Sequence, residues 1–384
     1  MTFTGADPDL VERAAALAAV ARGEAEAIER ERRLPDPLVE SLRDAGLFHM
    51  WVPGELGGLD ANAATFMEVV RTLAEGDAAA GWVVMIAAET NALAQWMPRA
   101  TAEEIFGGDA RPICVGTLNP PAGTLRPVDG GYVAEGQWPF GSGFPNADWL
   151  ISRARLLDAD GEPALDDRGQ PQMRAFAVPA GRAALVDTWS VPGLAGTGSF
   201  DYSMHEVHVP ERFVFEFAAP WTGGPRATLP IGPIFQMGHG AHAIGTARQA
   251  MDAFAGIASR PAWSERPAHE VALAHHARGE AEALVSSAEA WLDRILAAIW
   301  ERAEAGEPSP PEAFNALQLA VAHTVHACVR AADLLFEAAG AQSLYRSNRL
   351  ERAWRDLRAA GQHLHAKDRH YADGGRRLLA TDSS

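Results

Sequence analysis

The hydrophobic period changes twice along this chain, and that pattern limits its fold more than any other feature. In the first third, apolar residues recur at helical spacing. Asp9, with Glu12 three residues on, is expected to cap a helix carrying Leu10, Ala14, Leu17, Ala21 and Ile28 on one face. Further helices are expected from Asp36-Pro37 to Gly46, from Ala63 to Leu73, from Ala78 to Met97, and from Thr101, where Glu104 completes a capping box. From Ile113 the texture becomes short extended runs: Ile113 to Leu118, Gly131 to Trp138, Asp148 to Leu157, Met173 to Val178 and Tyr202 to Val209. Asp129-Gly130 favours a hairpin turn, and Asp158 to Gly169 reads as a polar loop. Beyond Phe235 the helical period returns, with segments from His239 to Ser259, His269 to Ala305, Pro311 to Ala339 (opened by a Ser309/Glu312 capping box) and Leu350 to Leu379. Helices, then strands, then helices is an α+β order, not the alternation of a doubly wound sheet. It divides the chain into 1–112, 113–234 and 235–384.

Charge and composition narrow the partners. A net charge of −17 repels phosphate backbones and anionic lipid surfaces, so nucleic acid and membrane are excluded as expected partners. Cys114 and Cys328 stand alone, without CxxC spacing, which fits a reducing, cytoplasmic setting. Met1 to Asp9 lacks the basic and apolar parts of a secretory leader, and the apolar run Ala78 to Ala88 is too short to span a bilayer. Lys367 is the sole lysine, so Schiff-base chemistry has one poorly placed candidate.

Several chemistries lack their motifs. There is no GxGxxG after a strand, no GxxxxGK[ST] and no GxSxG; Gly141-Ser142-Gly143 ends a strand and leads into a loop. None of the 13 histidines has Glu three residues before it, as a di-iron bundle requires. The pairs His205/His208, His239/His242 and His323/His326 have helix-face spacing but no supporting carboxylates, so no metal is expected.

The most specific segment is Gly-Gly-Tyr-Val-Ala-Glu-Gly-Gln-Trp-Pro-Phe-Gly-Ser-Gly, from Gly130 to Gly143, followed by Ala147-Asp148-Trp149. It resembles the flavin-binding strand of the acyl-CoA dehydrogenase superfamily, in the version carried by its two-component (group D) monooxygenase branch. Pro53 to Gly58, Gly193 to Ser199 and Glu351 to Arg358 resemble further family segments, in the expected order. The resemblance implies an N-terminal helical domain, a central β-barrel or sandwich and a C-terminal four-helix bundle, assembled as a homotetramer or homodimer. It implies reduced FMN or FAD delivered by a separate flavin reductase, with O2 and a small-molecule substrate. Trp138, Phe140, Ser142, Gly143, Thr197 and Ser199 are the implied cofactor-binding residues. Independently, an aromatic such as Phe140 suits a flavin ring face, and Ser142 offers a hydrogen bond to its edge.

Acyl-CoA dehydrogenases need a carboxylate base for the proton α to the thioester, supplied from one of two places in the last domain. Here Arg358-Ala359-Ala360-Gly361-Gln362-His363 has no Glu, and neither does Phe235 to Asp252. Monooxygenase relatives often carry histidine where His363 stands. His363, lying off the apolar stripe of Trp354, Leu357, Gly361 and Leu364, is assigned the proton traffic of oxygen activation or of an acidic substrate hydroxyl. Glu89 falls among Trp82, Met85, Ile86, Leu93 and Trp96 on one helix face, where a buried carboxylate is costly unless paired or protonated. It is expected to line the substrate pocket, binding a polar group or acting as base, so the catalytic set is His363, Ser142 and Glu89. The expected activity is hydroxylation of an aromatic or polyketide-like substrate. A divergent dehydrogenase or desaturase using Glu89 as base, and a flavin-free binding member, are the alternatives. His239 and His242 are placed near the mouth of the site. Arg346, Arg349, Arg352, Arg355 and Arg358 are expected to meet flavin phosphates or form intersubunit ion pairs.

Overall fold

The computed structural model describes residues 5–109, 111–119, 122–259 and 268–381, so Met1 to Thr4 of the leader reading lie outside it. Helix α1 (Pro8–Glu31) is capped by Asp7, whose carboxylate accepts from the Asp9 and Leu10 amides. The expected cap Asp9 is displaced because Pro8, with no N–H to satisfy, takes the first helical position. Helices α2 (Asp36–Asp44), α3 (Ala63–Gly76) and α4 (Ala78–Asn91) follow, with α3 capped by Asn62 and α4 by Asp77. Helix α4 tightens into a 3-10 turn over Ala92–Trp96 instead of running on to Met97. Helix α5 (Arg99–Phe106) starts after Pro98 without a side-chain cap. Glu104, the expected box partner, pairs with Arg212 instead.

The middle of the chain forms β1 (Cys114–Val115), β2 (Thr124–Val128), β3 (Gly131–Gly141), β4 (Trp149–Leu156), β5 (Met173–Pro179), β6 (Ala184–Val186), β7 (Phe200–Pro210) and β8 (Val214–Phe215). They make one mixed sheet in the order β6-β7-β3-β2-β4-β5-β8, with β1 beside β4. The Asp129-Gly130 turn joins β2 to β3, whose register begins at Val128 opposite Gly131. Strands β2, β6 and β8 had no expectation attached; each is too short to show a period of two. The long β3/β7 pair is interrupted twice, between Ala134 and Gly136 and between Trp138 and Gly141. The second interruption turns Phe140 to φ +60°, a re-aiming of side chains that bulges commonly provide beside functional sites.

The last layer holds α6 (Ile231–Ala258), α7 (Ala268–Glu304), α8 (Pro311–Ala339), α9 (Arg349–Ala360) and α10 (Arg369–Thr381). Helix α6 begins ahead of Phe235, and α8 is headed by Pro310 without the expected Ser309 cap. The stretch Pro311–Leu344 is long and apolar enough to cross a bilayer by length and composition, but Leu317, Val321, Val325 and Leu335 are buried in the helical layer. The single helix expected from Leu350 to Leu379 is broken: α9 ends at Ala360, and a 3-10 turn over Leu364–Ala366 precedes α10. That break decides the geometry of the site.

Candidate active site

The bulged end of β3 and the turn before β7 bring three hydroxyls together. Ser142 Oγ lies 2.7 Å from Ser199 Oγ, which lies 2.7 Å from Thr197 Oγ1. Thr197 donates to the Leu194 carbonyl at 2.7 Å, so the chain of hydroxyls has a fixed direction at that end. Gly143, at φ +79°, turns its N–H to the Thr197 carbonyl at 2.8 Å. The turn itself is held by α9: Asp356 accepts the Leu194 N–H at 2.6 Å. A Cβ at Gly193 would come 2.2 Å from the Arg355 carbonyl, so only glycine permits this approach. Burial, and then Asp77 nearby, push the Asp356 carboxyl up to about 7 while the Leu194 bond pulls the other way.

Ser142 also receives a hydrogen bond from Trp82 Nε1 of α4 at 3.2 Å. Trp82 is the hub of the site. Its ring meets His363 edge-on at 5.5 Å, His239 at 5.1 Å and His242 at 5.0 Å. His363 therefore stands across one indole ring from the Ser142 edge, although it is not on a helix: it caps the 3-10 turn that follows α9. His363 and His239 stack at 4.0 Å, and His365 lies 5.1 Å from His239 and 5.2 Å from His363. His370 fixes the turn through a 2.7 Å bond between its Nε2 and the Leu364 carbonyl. Burial lowers the basicity of His363 to about 4, with Lys367 adding to the effect. Burial and the neighbouring imidazoles hold His239 well below the ordinary histidine range. His365 falls to about 3 through burial, His363, His370 and Arg369. At neutral pH these are uncharged rings.

Glu89 is fully buried on α4, against Gly238 of α6, where a Cβ would fall 2.6 Å from Oε1. Neither carboxyl oxygen has a hydrogen-bond partner among the described residues; the Gly238 amide faces the group without completing a bond. Burial raises its pKa well above the usual value, so the group is a neutral acid. His242 is tied to the Ala78 carbonyl at 2.8 Å and braces α6 against α4.

One expectation needs correction. Trp138 is not available to a cofactor: it is fully buried under the sheet, stacked on Tyr202 at 5.8 Å, and donates to the Arg153 carbonyl at 3.0 Å. Strand alternation sends its ring to the core and leaves Phe140, beyond the bulge, 64% exposed with Trp189 at 6.4 Å. The arginines of the Glu351 region pair within the chain: Arg352 and Arg355 with Glu29, Arg358 with Asp333, Arg349 with Asp252. Thus the sequence-selected Phe140, Ser142, Gly143, Thr197 and Ser199 gather at one edge, and His363 approaches it through Trp82. Glu89 lies on the same helix as Trp82. Trp82 and His365 had no assigned role; the Trp82 hydrogen bond to Ser142 depends on contacts distant in sequence.

The residues fit a flavin: an exposed aromatic ring on a backbone at positive φ lies two residues from a buried hydroxyl chain at the end of β3. Residues 9–105 match the acyl-CoA dehydrogenase N-terminal domain and residues 237–368 the acyl-CoA dehydrogenase C-terminal domain. The chain belongs to the acyl-CoA dehydrogenase superfamily. Among the similar proteins are monooxygenases and hydroxylases, several of them named as flavin-dependent. Indole-3-acetate monooxygenase of Pseudomonas putida is 28% identical, over 90% of this chain and 87% of its own. The oxygenase subunit HsaA of a flavin-dependent monooxygenase from Rhodococcus jostii is 28% identical, over 92% and 93%. The solved structure of XiaF from Streptomyces, in complex with FADH2 and glycerol, superposes with a TM-score of 0.87 at 27% identity, covering 97% of this chain and 95% of that one.

Proposed function

We propose that this chain is the oxygenase component of a two-component flavin monooxygenase that hydroxylates a small aromatic substrate. The observation that carries the reading is the placement of His363 beside Trp82, which in turn donates to Ser142. The relatives named above are monooxygenases, one of them the oxygenase subunit of a flavin-dependent enzyme, and one neighbour holds FADH2. Reduced FMN or FAD, delivered by a reductase, supplies the electrons that activate O2. Phe140 covers an apolar face of the bound ring, and Ser142, polarised by Trp82 and Ser199, bonds its edge. His363, neutral at physiological pH, accepts a hydrogen bond from a substrate hydroxyl and takes up its proton only as the aromatic ring is attacked and the hydroxyl becomes more acidic. Glu89, protonated, donates a hydrogen bond to a polar substituent at the apolar end of the chamber. Assembly as a homotetramer or homodimer completes the proposal.

The dehydrogenase alternative needs an ionised base, and Glu89 is held in its neutral form. The test supplies chemically reduced FMN or FAD with 18O2 and a panel of phenols and indoles. Incorporation of labelled oxygen into an organic product supports the proposal; release of hydrogen peroxide alone across the panel, with oxidation of an acyl-CoA under the same conditions, overturns it.

A further inference from the structure

Three imidazoles meet at one point, yet proton transfer calls for one. His239 comes from the first half of α6, His363 caps the 3-10 turn after α9, and His365 lies within that turn. One nitrogen of each lies within 4.8 Å of one nitrogen of the other two. His239 is buried, and its Nδ1 has no hydrogen-bond partner; the Nδ1 of His365 is likewise buried and unpartnered. His363 Nδ1 faces the His365 amide at 3.5 Å, the outer limit of a hydrogen bond. His242 and His370, whose Nδ1 atoms are also unpartnered, each anchor Nε2 on a backbone carbonyl, of Ala78 and of Leu364, whereas the rings of His239 and His365 have no hydrogen bond to either nitrogen among the described residues. This cluster leaves ring nitrogens of three imidazoles close together, with His239 and His363 stacked so that a shared ligand requires one ring to turn.

We propose that His239, His363 and His365 form a three-imidazole site for a borderline divalent transition metal such as Zn2+ or Co2+, with a fourth position open toward Trp82. Imidazole donors suit Zn, Cu and Ni and discriminate against Mg and Ca, which take oxygen ligands. Tetrahedral coordination at the usual Zn–N length separates donor nitrogens by roughly 3.4 Å, so nitrogens up to 4.8 Å apart need to close by up to about 1.4 Å. Side-chain rotation of His363 and His365, set on a turn, accomplishes this while His239 stays on its helix. One consequence rests on the function proposed above: a metal on His363 takes the lone pair that accepts the substrate proton, so the ion inhibits hydroxylation.

The experiment is a Co2+ titration of untagged, flavin-free, chelator-treated full-length protein, followed by its visible ligand-field absorption and by equilibrium dialysis. One ion per chain, displaced by Zn2+, is expected. His239→Gln and His365→Gln each weaken it by about tenfold or more, whereas His205→Ala, an exposed residue on β7, leaves it unchanged. Because a buried substitution risks the fold, Zn2+ must also raise the melting temperature of the wild type and fail to raise that of the two variants. Substoichiometric cobalt, or equal affinity in the His239 and His365 variants, overturns the site. Stoichiometric zinc with undiminished hydroxylation leaves the site standing and removes the proton role of His363, while absent binding with normal hydroxylation removes the site alone.

Discussion

The hydroxyls of Ser142, Ser199 and Thr197 and the imidazoles of His239, His363 and His365 lie on either side of Trp82, and they are satisfied very differently. The hydroxyls form an unbroken chain that ends on the Leu194 carbonyl. On the other side, Nδ1 of His239 and of His365 and both Glu89 oxygens are buried without partners among the described residues. A buried polar group left unmatched costs about 1–3 kcal/mol, so folding alone gives no reason to keep this set. The contrast separates a side that the chain completes by itself from the side where the proposed substrate and metal contacts would be made.

The sharpest way to break that comparison is at His363. His363→Ala is expected to lower hydroxylation by about 100-fold or more, the usual contribution of a positioned acid–base group, while reduced flavin binds as before; turnover at the wild-type rate removes the assignment. On the completed side, Ser142→Ala leaves the Trp82 N–H without its acceptor and should cost about 1–3 kcal/mol of stability by urea unfolding. No loss there would show that the hydroxyl chain is incidental to the fold. Glu89→Gln tests the opposite sign. Because the native acid is held neutral, its contribution is full below the ordinary carboxyl value and fades as pH rises through its raised folded value. The variant should therefore gain on the wild type at alkaline pH, on the order of 1 kcal/mol, and not at pH 4. A last effect is at His365, whose basicity is depressed to about 3. Its stabilising contribution is present above the ordinary histidine value and is lost as pH falls toward 3, so His365→Gln should improve relative to wild type by up to about 3 kcal/mol between pH 6.5 and 4. A constant difference over that range would place the ring in contact with water.

What could be read from the residues alone follows the range of the interactions. The exchange of helical for extended period, the Asp129-Gly130 hairpin and the glycine-rich strand end are local, and the structure carries them nearly where expected. Caps were less legible, because Asp7 and Asp9 compete within one turn and Pro8 decides between them. Trp138 and Phe140 were alike as aromatic residues of one strand; a bulge that only the pairing with β7 creates sends them to different environments. The imidazole cluster was hidden more thoroughly. His239 and His363 belong to different helical segments, and a continuous helix from Leu350 to Leu379 would have aimed His363 and His365 apart. The break after Ala360 turns both toward α6.

Gly238 restricts the routes by which the chamber can change. With Glu89 in place, even one added carbon at position 238 collides with the carboxyl and with Met85. A lineage that reshapes this wall must shorten or swing residue 89 as the helix opposite gains bulk. Both contacts are with flexible side chains, so bulk at 238 is gained by swinging Glu89 and Met85 aside, and the facing positions of the two helices change together.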